Sequence, residues 1–370
     1  MKIVILGTRG IPNHYGGFEQ CAEYLALGLV EKGHEVTVYN SSNHPYQESE
    51  WNGVQIIHHK DPEKNIGTAG QFIYDLHCIR DLKKRNFDIV LQLGYTSSSV
   101  WGRLMPKGAI VTTNMDGLEW KRTKYSNRIK KFLLYAERLA VKFSDHLISD
   151  SIGIQNYLKG KYGANSTFIP YGANLVDEND VNVLKEFKVD PYDYDLIIAR
   201  MEPENNIETI LEGFQQADCS RKILVIGPHK NKFGTYLKDK YKINKQIVFV
   251  GGIYEIEKLN DLRNYANLYF HGHTVGGTNP SLLEAMASNS FICAHDNQFN
   301  ASVLKKDALY FDSIDDVEKI VKDTIDPDLR SAFVKNNREK ISSQYSWPII
   351  VDAYEQHFLE IYKKTKIYES

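Results

Sequence analysis

The stretch His273-Thr-Val-Gly-Gly-Thr-Asn-Pro-Ser-Leu-Leu-Glu284-Ala-Met-Ala287 decides the fold. It follows the apolar run Leu268-Tyr-Phe270, which predicts a buried strand. The chain then crosses the paired glycines Gly276 and Gly277 and predicts a helix opening at about Asn279-Pro280-Ser281. Asn is a favoured N-cap, and Pro is well tolerated at the first helical position. A helix that starts after a glycine-rich loop offers backbone N–H groups and the positive end of its dipole, which suits an anion and above all phosphate. Glu284 follows one turn later, where a carboxylate can hold a pair of hydroxyls such as those of a ribose. An ordinary strand–loop–helix junction has the same outline, so the stretch by itself leaves both readings open.

A second glycine loop bears on that choice. The chain opens with the short apolar strand Met1-Lys-Ile-Val-Ile-Leu6. Gly7-Thr-Arg-Gly-Ile-Pro12 and Asn13-His-Tyr-Gly-Gly17 follow, and then a helix is predicted from about Phe18 to Glu31. Cys21, Tyr24, Leu25, Gly28 and Leu29 recur there at helical spacing. Strand, glycine-rich loop and helix make the start of a nucleotide-binding type of α/β unit, although the G-x-G-x-x-G fingerprint is absent. Gly16 and Gly17 allow close backbone approach by a ligand. Two such units far apart in one chain predict two similar domains facing one ligand.

Short apolar runs alternate with helical segments along all 370 residues. Strands are predicted at Ile3–Leu6, Val36–Tyr39, Val54–Ile57, Ile89–Leu93, Ile110–Thr113 and His146–Ser149. The second half adds Leu196–Ala199, Ile223–Ile226, Ile247–Val250, Leu268–His271, Phe291–Ala294 and Leu309–Phe311. Near-continuous apolar strands alternating with helices predict parallel sheets covered on both faces. The polar stretch Asn174–Pro191 places a boundary near 172–192: an N-terminal domain 1–172 and a C-terminal domain 173–346. In open parallel sheets ligands bind beyond the carboxyl ends of the strands. Thr8, Gly16–Gly17, Gly94–Tyr95, Asp116, Arg200, Gly227, Gly252 and Gly276–Asn279 all follow predicted strands, so they are expected to converge on one interdomain cleft.

Composition narrows the class. A net charge of −2 gives no whole-chain electrostatic case for nucleic acid. Cys21, Cys78, Cys219 and Cys293 lack C-x-x-C spacing and read as reduced thiols of a cytosolic protein. The chain enters its first strand directly, without a signal-peptide pattern. No apolar run approaches the roughly 18 residues needed to span a bilayer. Asp193-Tyr-Asp195 has the Asp-x-Asp form of a metal motif but lies before a strand, and is expected to be a surface turn. No Cys/His ligand spacing is present either, so no metal is expected.

Four segments stand out together: Gly7-Thr-Arg-Gly-Ile-Pro12 with Tyr15-Gly-Gly-Phe-Glu19; Asn114-Met-Asp-Gly-Leu-Glu-Trp-Lys-Arg122; Ala199-Arg-Met-Glu-Pro-Glu-Asn-Asn206; and Gly276-Gly-Thr-Asn-Pro-Ser-Leu-Leu-Glu284. With them the chain resembles a glycosyltransferase of GT-B architecture, retaining family 4, and within it the rhamnosyltransferases of bacterial cell-surface polysaccharides. Ile169-Pro-Tyr-Gly-Ala-Asn174 resembles the approach to the family's hinge. The resemblance covers almost the whole chain and implies two Rossmann-like domains, with the amphipathic segment from Trp347 crossing back onto the first; from its sequence alone that segment could equally cap the second.

The resemblance also implies site residues. Arg200 would bind the donor diphosphate; pairing with Glu202 or Glu204 at the surface is the plainer alternative. The family's second cation, five residues on, is here Asn205, which implies that the helix at Asn279 and the Gly16–Gly17 loop bear more of the donor's diphosphate. Of the family's two Glu residues eight apart, Glu284 matches the second, a ribose ligand, and the first falls on Gly276. The backbone of Gly277, Thr278 and Asn279, with Ser281, Gly252 and polar neighbours such as His273, would then contact the donor. A 6-deoxy sugar such as L-rhamnose fits that departure. Asp116 would orient the acceptor hydroxyl or accept its proton, unless Asp116-Gly117 is a plain turn. Lys121, Arg122, Lys124, Arg128 and Lys131 form either a solvated face or a surface for a lipid-linked diphosphate glycan acceptor on an anionic inner membrane.

The expectation is therefore a cytoplasmic, membrane-peripheral, metal-independent retaining enzyme. It needs no cofactor beyond its nucleotide-sugar donor, dTDP-L-rhamnose by resemblance, and binds no nucleic acid. The rival expectations are a related GT-B sugar-nucleotide enzyme and a non-catalytic sugar-nucleotide-binding protein.

Overall fold

The computed structural model describes residues 1–14 and 16–369. The chain divides into two compact units. The first comprises Met1–Trp120, Tyr125–Gly172 and the chain from Trp347 onward; the second comprises Lys121–Lys124 and Ala173–Ser346.

The first unit is built on an eight-stranded sheet. Its strands are β1 (Lys2–Leu6), β2 (Glu35–Ser41), β3 (Glu50–Trp51), β4 (Val54–His59), β5 (Ile89–Leu93), β6 (Ile110–Asn114), β7 (His146–Ser149) and β8 (Thr167–Phe168). Their order is β3-β4-β2-β1-β5-β6-β7-β8. All neighbours are parallel except β3 and β4. β1 is central, with Ile3 opposite both Val36 and Ile89. Ile3, Val4, Ile5 and Leu6 are wholly buried, the consequence of helices on both faces. The helix Gly17–Glu31 covers one face and in turn packs on the C-terminal helix, Trp347–Glu369. Tyr24 stacks on Trp347 at 4.5 Å between centroids, and a Cβ on Gly28 would strike Val351 at 2.7 Å. His357 is clamped between Thr112 of β6 (3.0 Å) and Thr167 of β8 (3.1 Å).

The second unit holds a six-stranded parallel sheet. Its strands are β9 (Tyr194–Ile198), β10 (Lys222–Ile226), β11 (Ile247–Gly251), β12 (Leu268–His271), β13 (Ile292–His295) and β14 (Leu309–Phe311). Their order is β11-β10-β9-β12-β13-β14. Ile197, Val225, Phe270 and Cys293 lie in one core with Ile207, Ile210, Leu211 and Phe214 of the helix Ile207–Ala217.

All twelve apolar runs form strands within two residues of the expected ends. The two short edge strands β3 and β8 have no apolar run to betray them. One expectation fails in part. Asp193 is exposed, but Asp195 is not in a surface turn: it lies inside β9, wholly buried. Asn267 Nδ2 donates to it at 2.9 Å and Arg221 Nη2 at 3.4 Å. The polar side chain is tolerated in a buried strand because both of its oxygens are partnered.

Candidate functional site

In each sheet the strand order reverses beside one central pair. The chain leaves β1 toward β2 on one side and returns to β5 on the other; β9 and β12 stand in the same relation. Such switch points open a crevice at the carboxyl ends of the strands. In the second unit, Arg200 follows β9 and His273 follows β12, so neighbouring strands deliver both.

The loops after β9 and β12 are locked together by glycine and asparagine. A Cβ on Gly272 would fall 2.0 Å from the carbonyl oxygen of Asn205, so no other residue permits this approach. Asn206 Nδ2 donates to Gly272 O at 2.8 Å, and Thr274 Oγ1 donates to Glu204 O at 2.8 Å. Asn205, which stands where the resembled family carries a cation, is buried and donates to Arg200 O at 2.7 Å. It shapes the Arg200 turn rather than contributing charge. Arg200 is exposed and makes no ion pair among the described residues; Glu202 reaches Lys124 at 3.6 Å, and Glu204 accepts from Thr123 at 2.6 Å. Burial first, and then the charges of Arg200 and Arg122, push His273 down to about 3, so its ring is neutral near pH 7. It stacks on His271 at 4.4 Å.

The helix Pro280–Ala287 begins where expected, with Asn279 as N-cap. Its first turn is nevertheless self-satisfied, which corrects the simple picture of N–H groups open to an anion. Pro280 has no N–H. Ser281 N–H donates to Asn279 Oδ1 at 3.0 Å, and the N–H groups of Leu282 and Leu283 point to Asn279 O. Any anion here depends on the dipole and on the loop before Asn279. Gly276 has φ +145°, a conformation that a Glu at this position would not adopt without strain. Gly277 and Thr278 continue that loop, Thr278 being buried. Glu284 lies one turn into the helix and accepts from Arg263 Nη2 at 2.6 Å. Gly252 follows β11, the edge strand, two strands from β9, and is the member of the predicted set farthest out along the sheet.

In the first unit, Gly7 follows β1 and Gly94 follows β5. A Cβ on Gly7 would lie 2.3 Å from Leu93 O, so the two strand ends close tightly. Gly16 caps and Gly17 starts the first helix, with the buried Glu19 in its first turn. Glu19 Oε1 accepts from the Arg9 N–H at 2.8 Å. That carboxylate occupies the helix end expected to favour a phosphate. Asp116 is half-buried just beyond β6; its N–H donates to Asn114 Oδ1 at 3.0 Å, and Gly117 turns the chain at φ +45°. A cavity of about 230 Å³ lies beside these loops, lined by Arg9, His14, Ser41, His44, Asp61 and Glu63. Ser41 Oγ donates to Asp61 at 2.6 Å, and Arg9 holds Glu63 through two hydrogen bonds. None of these residues was among the expected site residues. Ser41 ends β2 and His44 and Asp61 follow β2 and β4, so the strand-end rule would have found them.

The basic segment divides. Lys121, Arg122 and Lys124 group with the second unit, not with the N-terminal domain as expected. The contacts of Thr123 and Lys124 with Glu204 and Glu202 are the physical reason. Arg128 and Lys131 remain in the first unit, exposed on the helix Asn127–Phe143. Ile129, Phe132 and Tyr135 are exposed beside them, whereas Leu133, Ala136 and Ala140 face the core.

Among the described residues, no group of His, Cys, Asp or Glu is arranged to hold a metal ion, and no helix is long and apolar enough to cross a membrane.

Comparison with known proteins agrees with this geometry. Residues 184–340 match the family described as glycosyl transferases group 1, and residues 1–174 match a domain of unknown function, DUF1972. A protein of Klebsiella pneumoniae, described as an uncharacterized 42.6 kDa protein in the cps region, is 23% identical over 189 residues. That match covers 44% of this chain and 51% of the relative, so the chain spans about half the length of the curated relative it matches. Sucrose-phosphate synthase from Thermosynechococcus elongatus superposes with a TM-score of 0.79 at 17% identity, over 98% of this chain and 99% of that one. HepE from Anabaena in complex with UDP-glucose gives 0.72 at 12%, over 98% and 99%. A glycosyltransferase from Rickettsia africae gives 0.71 at 14%, over 98% of both. The chain thus has the two-domain α/β fold of GT-B glycosyltransferases, and its residues 184–340 match the glycosyl transferases group 1 model.

Proposed function

We propose that this protein is a retaining glycosyltransferase that moves a sugar from a nucleoside-diphosphate donor to a hydroxyl of a lipid-linked or oligosaccharide acceptor in polysaccharide synthesis. The observation that carries the reading is the β9/β12 switch point in the segment that matches glycosyl transferases group 1, where Arg200, His273 and the Gly276–Asn279 loop gather. The UDP and UDP-glucose complexes of HepE support a nucleotide-sugar donor. The cps-region relative supports a polysaccharide product. L-rhamnose, carried by dTDP, is the proposed sugar: Gly276 removes the carboxylate that grips a donor-sugar hydroxyl in the resembled enzymes, and a 6-deoxy sugar tolerates that loss.

Arg200 makes charge-assisted contact with the diphosphate. Glu284, held by Arg263, takes the ribose hydroxyls. Neutral His273 donates or accepts a single hydrogen bond at the sugar. In the first unit the Glu19 carboxylate beside Gly16 disfavours a phosphate, so the Gly16–Gly17 backbone and the adjoining 230 Å³ cavity are assigned to neutral sugar. The bond from the anomeric carbon to the diphosphate breaks, and the acceptor hydroxyl bonds to the same face. Its proton passes to the departing diphosphate, with Asp116 orienting the hydroxyl. Positioning and stabilisation of the leaving charge by Arg200 supply the catalysis; no metal and no cofactor is assigned. The exposed basic and aromatic face of the helix Asn127–Phe143 supports work at the cytoplasmic membrane surface.

A second reading, non-catalytic binding of a sugar nucleotide, is favoured by Asn205, whose buried side chain replaces a cation. A thermal-shift panel of nucleotide sugars tests donor binding. A ligand at 100 times its dissociation constant raises stability by ~2.7 kcal/mol. No shift with any donor would exclude both readings; a shift without turnover would favour the second.

A further inference from the structure

A cavity of the second unit lies at the other end of its sheet. It measures about 930 Å³, within the range of small-molecule sites. Tyr192 precedes β9, Arg221 precedes β10 and Asn267 precedes β12, so this cavity opens at the amino ends of the strands whose carboxyl ends carry Arg200 and His273. The helix Pro327–Lys340 forms another wall. All lining residues belong to the second unit.

The floor is a chain of part-buried polar contacts around the buried Asp195. Arg221 reaches Asp195 at 3.4 Å, Asn267 donates to Asp195 at 2.9 Å, and Arg330 Nη2 donates to Asn267 O at 2.7 Å. Asp195 offsets one of the two guanidinium charges. Arg330 has no carboxylate at ion-pair distance among the described residues, so the floor carries one surplus positive charge; the lining also holds the exposed carboxylate of Asp323. Arg330 is also held flat, its guanidinium 5.2 Å from the centroid of Tyr192 and 4.9 Å from that of Phe291. The Arg221 Nε–H is buried with no hydrogen-bond partner, a position that loses free energy unless something accepts from it. Leu175, Ile325 and Val334 supply an apolar side to the same space.

We propose that this cavity is a second ligand site, separate from the donor site, for a small molecule with one anionic group on a flat apolar body. The anion accepts from Arg221 Nε–H and neutralises Arg330; the body lies against Tyr192, Leu175, Ile325 and Val334. The other cations of the rim are already committed. Arg338 is paired with Asp177, Lys322 with Glu318 and Lys335 with Glu339. A polyanion would therefore find no further unpaired cation. A single phosphate, sulfonate or carboxylate matches the surplus.

The test uses the full-length protein and anilinonaphthalene sulfonate, a sulfonate on a flat aromatic body whose fluorescence reports binding. The titration is run with and without saturating UDP. A saturable component that survives UDP is expected. Arg330→Gln should weaken that component about tenfold or more, the loss expected for a charge-assisted contact. Ser331→Glu, an exposed position on the lining, should weaken it similarly by placing a carboxylate beside Arg330 without disturbing the core. Full displacement of the probe by UDP, or a Ser331→Glu titration that matches wild type, would overturn the proposal. It stands independently of donor chemistry: failure of either result says nothing about transfer, and absence of transfer leaves this titration unchanged.

Discussion

Arg263 and Glu284 form an ion pair at 2.6 Å in which the guanidinium side chain is 1% exposed and the carboxylate 21%. The buried partner comes from the helix Ile256–Asn264 and fixes the carboxylate that stands one turn inside the helix Pro280–Ala287. The pair is both a fold element and a positioning device, and two substitutions separate these roles. Arg263→Met removes the buried partner of this half-buried pair and should lower stability by less than the roughly 3–5 kcal/mol of a fully buried one. Glu284→Gln keeps a hydrogen-bonding partner for Arg263 and should cost less stability. It should weaken binding of nucleoside diphosphate and nucleotide sugar alike, by about 1.5–3 kcal/mol. Calorimetric titration with UDP and dTDP checks the binding. A variant with unchanged affinity would leave Glu284 with only the structural role.

Gly272 tests how much the Arg200 turn matters. Gly272→Ala sets a methyl against the Asn205 carbonyl, which is backbone and cannot swing aside. The loops after β9 and β12 should separate, at a stability cost of roughly 1–3 kcal/mol, with a loss of donor affinity. Ala at Gly108, where a Cβ meets nothing and the backbone is not left-handed, serves as a control. Equal donor affinity in wild type and Gly272→Ala would show that the turn does not set the site.

The face of the helix Asn127–Phe143 predicts salt-sensitive membrane binding. Replacing Arg128, Lys131 and Arg138 by Gln should reduce cosedimentation with anionic vesicles, each charge being worth about 1 kcal/mol at such a surface. Added salt should mimic the variant. Lys124 is left intact because it pairs with Glu202. Vesicle binding identical to wild type would reduce these residues to a solvated face.

His357 makes a pH prediction for the C-terminal helix. Burial first, then His146 and Lys364, lower it from 6.5 to about 4. A depressed pKa means the folded state prefers the neutral ring. The stability this group contributes is full above pH 6.5, falls as pH drops through the interval down to about 4, and levels off below that. His357→Gln should flatten the pH dependence of the melting temperature between those limits. An unchanged slope would mean that other groups govern acid loosening of this helix.

The fold was legible because buried parallel strands are near-continuous apolar runs bounded by glycine, as at Ile3–Leu6 and Leu268–His271. The candidate site was legible as far as the strand-end rule reaches: Arg200, His273, Asn279 and Glu284 all follow β9 or β12. What could not be read was how those residues are occupied. The N-cap reading of Asn279 already implied that it closes its own helix turn, but nothing in the sequence reveals that Asn205 turns onto the Arg200 carbonyl or that Arg263 comes from another helix to hold Glu284. These are contacts between segments distant in sequence or set by side-chain rotamer. Asp195 misled for the same reason. Its partners, Arg221 and Asn267, lie 26 and 72 residues away, and without them an acidic residue reads as surface.

The most direct test is sugar transfer itself. Purified protein is incubated with labelled dTDP-L-rhamnose, UDP-glucose and related donors, each with a lipid-linked oligosaccharide acceptor and with EDTA present. Released nucleoside diphosphate and labelled lipid are measured together. The account predicts equimolar release and transfer from at least one donor, insensitive to EDTA, with the anomeric configuration retained. It also predicts that Arg200→Ala lowers donor affinity by about 1.5–3 kcal/mol. Donor binding without release or transfer from any donor, or transfer that Arg200→Ala leaves untouched, would contradict it.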